Sequence, residues 1–87
     1  MGRIVPFSAA ARQALLRSGE DLMRTDTCGM DEAQLHRLLE DAAEMIRRLD
    51  EAEPADMQSD AYEEWAEVHE GVEDLQDEIL DLLDELT

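Results

Sequence analysis

The sequence contains no lysine and has little of several other residue types that shape proteins. Its 87 residues include one cysteine, two prolines and three aromatic residues. The single cysteine, Cys28, cannot form a disulfide within the chain, so a reduced, cytoplasmic setting is expected. No apolar run approaches the roughly 18 residues that span a bilayer. Pro6 cuts short the apolar pair before it, so we expect neither a membrane span nor a signal peptide.

The scarcity of aromatic residues also limits the kind of core that the chain can build. Twelve leucines suit thin seams between helices better than a thick globular centre. A chain of this length forms one small domain and buries only about 60–65% of the surface that it exposes when unfolded. Because such a core is marginal for a monomer, we expect a homo-oligomer, most simply a homodimer.

Acidic residues dominate what is present. There are 24 acids against seven arginines, and the 13 acids of residues 56–87 have no Lys or Arg among them. Such a charge repels nucleic acid and membranes and favours a basic protein partner. The alternative is that the acidity serves solubility or adaptation to a salty cytoplasm. Three arginines are expected to face the acidic C-terminal third: Arg37, Arg47 and Arg48.

The order of apolar and breaking residues predicts an all-α chain with three helices. Residues 1–7 form a short extended arm, because Pro6 fixes its own φ and restricts the residue before it. The arm's apolar side chains are expected to dock on the chain's own core or on a second subunit. Helices are predicted over residues 9–25, 32–52 and 60–86. The second and third should form an antiparallel hairpin that a dimeric bundle completes.

Capping residues predict where the helices begin, and two glycines lie inside predicted helices. Ser8 is the predicted N-cap of the first helix, and the spacings of Asp31 with Gln34 and of Asp60 with Glu63 predict two capping boxes. Two glycines, Gly19 and Gly71, fall inside predicted helices. Each marks either a close approach of another helix or a break in its own.

The third predicted helix carries an apolar repeat with alternating steps of four and three residues. This heptad pattern predicts a helix-packing interface, which we call the apolar seam; it comprises Trp65, Val68, Val72, Leu75, Ile79, Leu82 and Leu86. β-Branched residues at position a with leucine at d favour a two-stranded coiled coil. Leu80 and Leu83 widen the stripe near its end, which suits a bundle with two neighbours.

One segment has the ligand spacing of a calcium-binding EF-hand loop. Oxygen-bearing side chains occupy loop positions 1, 3, 5, 9 and 12, namely Asp56, Gln58, Asp60, Glu64 and Glu67. The glycine needed at position 6 is replaced by Ala61, and Glu63 stands where an apolar residue is usual. Partial matches arise easily in acidic sequence, so an acidic helix start is the preferred interpretation.

A second pattern suggests magnesium-dependent nucleotide chemistry. Helical nucleotide pyrophosphohydrolases carry Glu-Glu-x-x-Glu on one helix and Glu-x-x-Asp on the next; the matching residues here are Glu63, Glu64 and Glu67, then Glu78 and Asp81. Both motifs fall on one predicted helix, about 16 Å apart by helical rise, and cannot converge within one subunit. A closer substitute for the first motif is Glu40, Asp41 and Glu44. This enzyme is a lesser alternative.

The two histidines fit ordinary helix-surface pairs better than a metal site. His36 lies four residues from Glu32 and from Glu40, and His69 lies four before Glu73. No nucleophile has a base beside it, and no glycine-rich phosphate loop is present. We therefore predict no enzyme activity, no cofactor, and no catalytic or metal-binding residue.

Two functional hypotheses remain. The first is a non-enzymatic protein–protein interaction module that acts through its apolar seam and its acidic surface. The second is an inhibitor, of the anti-CRISPR or antitoxin kind, that mimics nucleic acid and blocks a basic nucleic-acid-binding surface. Either would bind its partner through the exposed acids of the third helix: Glu63, Glu67, Glu70, Asp74, Asp77 and Asp81.

Overall fold

The computed structural model describes residues 9–86, which form three α-helices and no strand. The helices are α1 (Ala9–Met23), α2 (Glu32–Glu51) and α3 (Asp60–Leu86). The all-α prediction is confirmed, and the predicted helix bounds differ from these by at most two residues. The predicted arm and its neighbour Ser8 lie outside the described residues.

Local hydrogen bonds explain where α2 and α3 begin. The Asp31 side chain accepts from the backbone N–H of Gln34 at 2.8 Å, and the Gln34 side chain accepts from the Asp31 N–H at 3.0 Å, which confirms the first capping box. The second was predicted one residue too late. Ser59, not Asp60, caps α3, since its Oγ accepts from the N–H of Tyr62 at 3.2 Å.

The core lies mainly between α2 and α3, which run antiparallel and make the most extensive contact in the molecule. Their packed side chains follow the 3.6-residue period of each helix. The buried apolar residues of the two helices are Leu35, Leu38, Ala42, Leu49, Trp65, Val68, Val72, Leu75, Ile79 and Leu83. Trp65 fixes the closed end of this hairpin, because its Nε1–H donates to the Leu49 carbonyl at 2.7 Å in a buried site.

α1 lies along the first half of α3 and buries Leu15 and Leu16 against the hairpin. Arg12 ties its beginning to the end of α2, with Nε donating to the Ala52 carbonyl at 3.0 Å. This carbonyl follows the last turn of α2, where backbone acceptors have no partner within the helix.

The apolar seam of α3 departs from the predicted heptad at its C-terminal end. Trp65 through Ile79 are buried as predicted, but Leu82 is half-buried and Leu86 is 54% exposed, while Leu83 is buried instead. On a wheel of 100° per residue, Leu83 lies nearer than Leu82 to the centre of the buried side. Leu86 falls at the same angle as the buried Val68, so its exposure follows from its place as the last residue of α3, at the end of the contact with α2.

Both glycines mark close approaches within continuous helices, so a break or kink is the wrong interpretation. A Cβ placed on Gly19 would lie 2.5 Å from Cγ1 of Val68, and one placed on Gly71 would collide with Sδ of Met23. Gly19 of α1 and Gly71 of α3 thus let the two helices pack closely.

Replacing Gly19 with alanine is expected to lower the free energy of unfolding by about 1–3 kcal/mol, because the stiff, β-branched Val68 cannot turn away from the new methyl group. In a Val68→Ala background the same change should instead stabilise α1 by up to about 1 kcal/mol, through helix propensity alone. Urea denaturation of the four proteins measures both values. Gly71→Ala serves as a comparison. Because the flexible side chain of Met23 can move away from the new methyl group, this substitution should lower the free energy of unfolding by less than Gly19→Ala does. An equal loss in both Val68 backgrounds would show that this contact is not the reason.

Candidate functional site

The six acidic residues predicted to bind a partner share one side of α3 and are all exposed. They follow each other in steps of four and three residues, so they form a stripe along the helix about 27 Å long. We call this stripe the acidic face; it comprises Glu63, Glu67, Glu70, Asp74, Asp77 and Asp81. At 100° per residue its centre is nearly opposite the buried seam. The packing that buries one side of α3 therefore directs the other into solvent.

The density of charge along α3 is close to that of a nucleic-acid strand. Its 27 residues include 12 carboxylates and no Lys or Arg. At a rise of 1.5 Å per residue, one negative charge occurs about every 3.4 Å, which is the axial spacing of phosphates along one strand of B-DNA. All 12 carboxylates are exposed, and six of them form the acidic face.

The arginines of α2 do not neutralise the acidic face, contrary to the sequence-based expectation. Arg47 pairs with Glu44 and Glu51 of its own helix, and Arg48 also pairs with Glu44. The Arg47 hydrogen bond holds the pKa of Glu44 below its usual value. These partners lie one turn away on α2, so the pairs form within the helix rather than across to α3. Within residues 9–86, no arginine forms an ion pair with the acidic face.

His69 of α3 contacts the carboxylate of Asp50 on α2, and it lies outside the acidic face. Its Nε2 is 2.7 Å from Oδ1 of Asp50 on α2, and its Nδ1 is 3.3 Å from Oε1 of Glu73. The ring packs against Trp65 with centroids 4.9 Å apart. A protonated imidazole donates to both carboxylates, whereas a neutral one donates to only one. The sequence indicated Glu73 but not Asp50, because contacts across helices have no sequence period.

The carboxylates of the candidate calcium loop are not arranged around a cation. Asp60, Glu64 and Glu67 all belong to α3, and the Asp56 side chain accepts from the N–H of Gln58 at 3.0 Å. Among the residues described, no group of three or more His, Cys, Asp or Glu side chains is placed to hold a metal ion.

The nucleotide motif is likewise dispersed. Glu63, Glu67 and Asp81 share the single helix α3, as expected. The substitute residues on α2 are exposed, and one of them, Glu44, is occupied by Arg47 and Arg48. On a helical wheel Glu40 and Glu44 lie opposite the residues of α2 that contact α3.

The surface of residues 9–86 has several shallow grooves and a few exposed apolar side chains. A shallow groove of about 520 Å³ separates the C-terminal half of α1 from α2. A smaller one, of about 290 Å³, lies between the loop that contains Cys28 and the end of α3. Exposed large apolar side chains are Met57, Leu80 and Leu86.

None of the helices in residues 9–86 combines the length and apolar character needed to cross a membrane. In comparisons with protein-family models, with curated proteins and with solved structures, no match to this chain was found.

Proposed function

We propose that this protein is a non-enzymatic protein–protein interaction module that binds a cationic surface of a partner through the acidic face of α3. The observation that carries the proposal is that all six carboxylates of this face are exposed and have no arginine partner within the described chain. An arginine- or lysine-rich surface would supply the missing charge.

The apolar seam is already buried within the chain. The acidic face is therefore favoured over the seam as the partner-binding surface. Val72 and Ile79 are completely buried by the chain's own helices. A partner that used them would have to displace α1 or α2 and so would compete with folding. The acidic face needs no such rearrangement.

The electrostatics of the free protein favour association with a cationic partner. Like charges on successive turns of a helix repel each other and destabilise it by tenths of a kcal/mol per pair. A cationic partner removes this repulsion and adds attractive pairs. Complementary fields of this kind also raise the association rate.

A second candidate function is inhibition of a nucleic-acid-binding protein by mimicry, as anti-CRISPR proteins and antitoxins do. The exposed carboxylates along a helix about 40 Å long support it, because the acidic face would present one of them to a groove shaped for phosphates about every 5 Å. The partner's cationic surface would then be its nucleic-acid site.

Self-association through a different side of the hairpin is also proposed. Leu80 is 49% exposed, and Leu39 and Ile46 of α2 are only half-buried. By helical geometry these residues turn away from the side of the hairpin that α1 covers. A homodimer would bury them, and sedimentation of the wild type against Leu80→Asp measures whether it forms.

Neutralising the acidic face is expected to weaken partner binding about 10²-fold. An exposed ion pair contributes about 0.2–1 kcal/mol, and five such pairs would act together. The test variant changes five acids to their amides, namely Glu63, Glu67, Glu70, Asp77 and Asp81. The partner is first captured from the native host with the tagged wild-type chain, and affinities are then measured with purified proteins.

A variant of equal net charge provides the matched control. It carries amides at five exposed acids outside the acidic face, namely Glu20, Asp26, Glu32, Glu40 and Glu53. Binding should stay within about threefold of wild type, since only local charges form pairs. Equal losses in the two variants would contradict a specific acidic face. Displacement of a DNA or RNA oligonucleotide from the partner separates mimicry from other modes of binding.

A further inference from the structure

Met23, the last residue of α1, packs its sulfur against a glycine of α3. Its side chain is half-buried on the core. Of the Met23 atoms, Sδ lies nearest to the point where a Cβ on Gly71 would stand, while Cε and Cγ are 3.1 and 3.5 Å from that point. Because both carbons are farther away than the sulfur that they flank, the lone-pair side of Sδ faces Gly71. The thioether therefore fills the notch that the missing side chain of Gly71 leaves on α3.

The notch at Gly71 suits a thioether but not a polar group. Gly71 lies within α3, where each backbone N–H donates to the carbonyl four residues earlier. An oxygen bonded to Sδ would project from its lone-pair side, toward Gly71, and would find no donor among these N–H groups. Such an oxygen would be hydrated only after the Met23 side chain had turned out of the notch.

The sulfur of Met23 also has a route to solvent. Met23 lines a groove between α1 and α3, together with Glu20 and Glu67. It ends α1 as well, and the ends of a helix open more readily than its interior. A small oxidant in the groove therefore reaches the sulfur whenever the last turn of α1 opens.

We propose that Met23 is a modification site at which a hydroperoxide, such as hydrogen peroxide, converts the thioether to a sulfoxide and so releases the last turn of α1 from α3. A lone pair of Sδ attacks one peroxide oxygen, and the O–O bond breaks as the S–O bond forms. The proton of the transferred oxygen passes to the departing oxygen, which leaves as water. The sulfur is oxidised and the peroxide is reduced. This site is independent of the proposed partner binding.

Peptide mapping by mass spectrometry after timed exposure to hydrogen peroxide tests whether Gly71 covers the sulfur. The full chain carries Cys28→Ser, because the exposed thiol would also react. Met57 is 67% exposed and should be oxidised at least about fivefold faster than Met23. Gly71→Ala displaces the sulfur from the notch and should accelerate oxidation of Met23 at least about threefold, with no change at half-buried Met45. An unchanged rate at Met23, or an equal acceleration at Met45, overturns the proposal.

The effect of the sulfoxide is measured as a change in Tm, at a peroxide dose that oxidises Met23 fully. The matched control is Met23→Leu, which has a similar volume but no sulfur. The chain with Met23 should lose at least about 5 °C more than this control under the same treatment, and methionine sulfoxide reductases should restore the difference. Equal losses in the two proteins, or a Tm that full oxidation of Met23 leaves unchanged, overturn the proposal.

Discussion

Replacing Ile79 with aspartate is expected to unfold the protein. Ile79 is completely buried in the core that α2 and α3 form. The change removes an apolar contact worth about 2–5 kcal/mol and introduces a carboxylate that has no partner there. At a typical 0.05–0.15 kcal/mol per residue, a chain of 87 residues has a total stability of only about 4–13 kcal/mol. Loss of helical circular dichroism at 222 nm measures the result.

Leu80→Asp is the matched control for this substitution. Leu80 is the next residue along α3 but is 49% exposed, so within a monomer the same new charge should cost no more than about 1 kcal/mol. The three proteins are therefore compared at a concentration at which sedimentation shows only monomers. Helix content should stay at the wild-type level. Similar unfolding by both substitutions would mean that charge on α3, rather than burial of one side, decides its stability.

The contrast between these neighbours was predictable from the sequence, because it follows from periodicity alone. The repeat from Trp65 to Ile79 has no exception, and a helix that buries one side must expose the other. The positions of the six acidic-face residues were predictable for the same reason. Their exposure needs no knowledge of what covers the seam.

Other features of the fold and of the candidate site were not predictable, because they depend on contacts that leave no periodic pattern in the sequence. The exposure of Leu86 reflects its place as the last residue of α3, where the packing of the hairpin ends, and no period in the sequence marks that point. Both α2 and α3 contain acids that could pair with Arg47. It contacts those on its own helix, one turn away. The Asp50–His69 contact joins residues 19 apart in the chain, and no local pattern indicates it.

Within residues 9–86, no arginine pairs with the acidic face, which the sequence did not reveal. Had Arg47 and Arg48 faced α3, they would have compensated two of its 12 carboxylate charges. Instead they stabilise α2, and α3 retains its full negative field on the solvent side. The carboxylates of α3 thus repel each other in the free protein, and binding of a cationic partner would lower this electrostatic free energy.

Partner affinity is therefore expected to fall steeply with salt, by on the order of 10²-fold between 50 and 200 mM NaCl. Protein–DNA complexes with 6–10 phosphate contacts lose about 10³–10⁵-fold over this range. A smaller loss is expected here because α3 carries one charge about every 3.4 Å, against about 1.7 Å for duplex DNA. Titration of the purified partner at four salt concentrations gives the slope.

The stability of the free protein should respond to salt in the opposite direction, which supplies an internal control. Screening weakens repulsion among the carboxylates of α3, so the Tm measured without partner should rise from 50 to 200 mM NaCl. Weaker binding in a more stable protein cannot be attributed to unfolding. An affinity that is independent of salt, together with a rising Tm, would exclude the acidic face as the binding surface and would favour an apolar one such as that around Leu80.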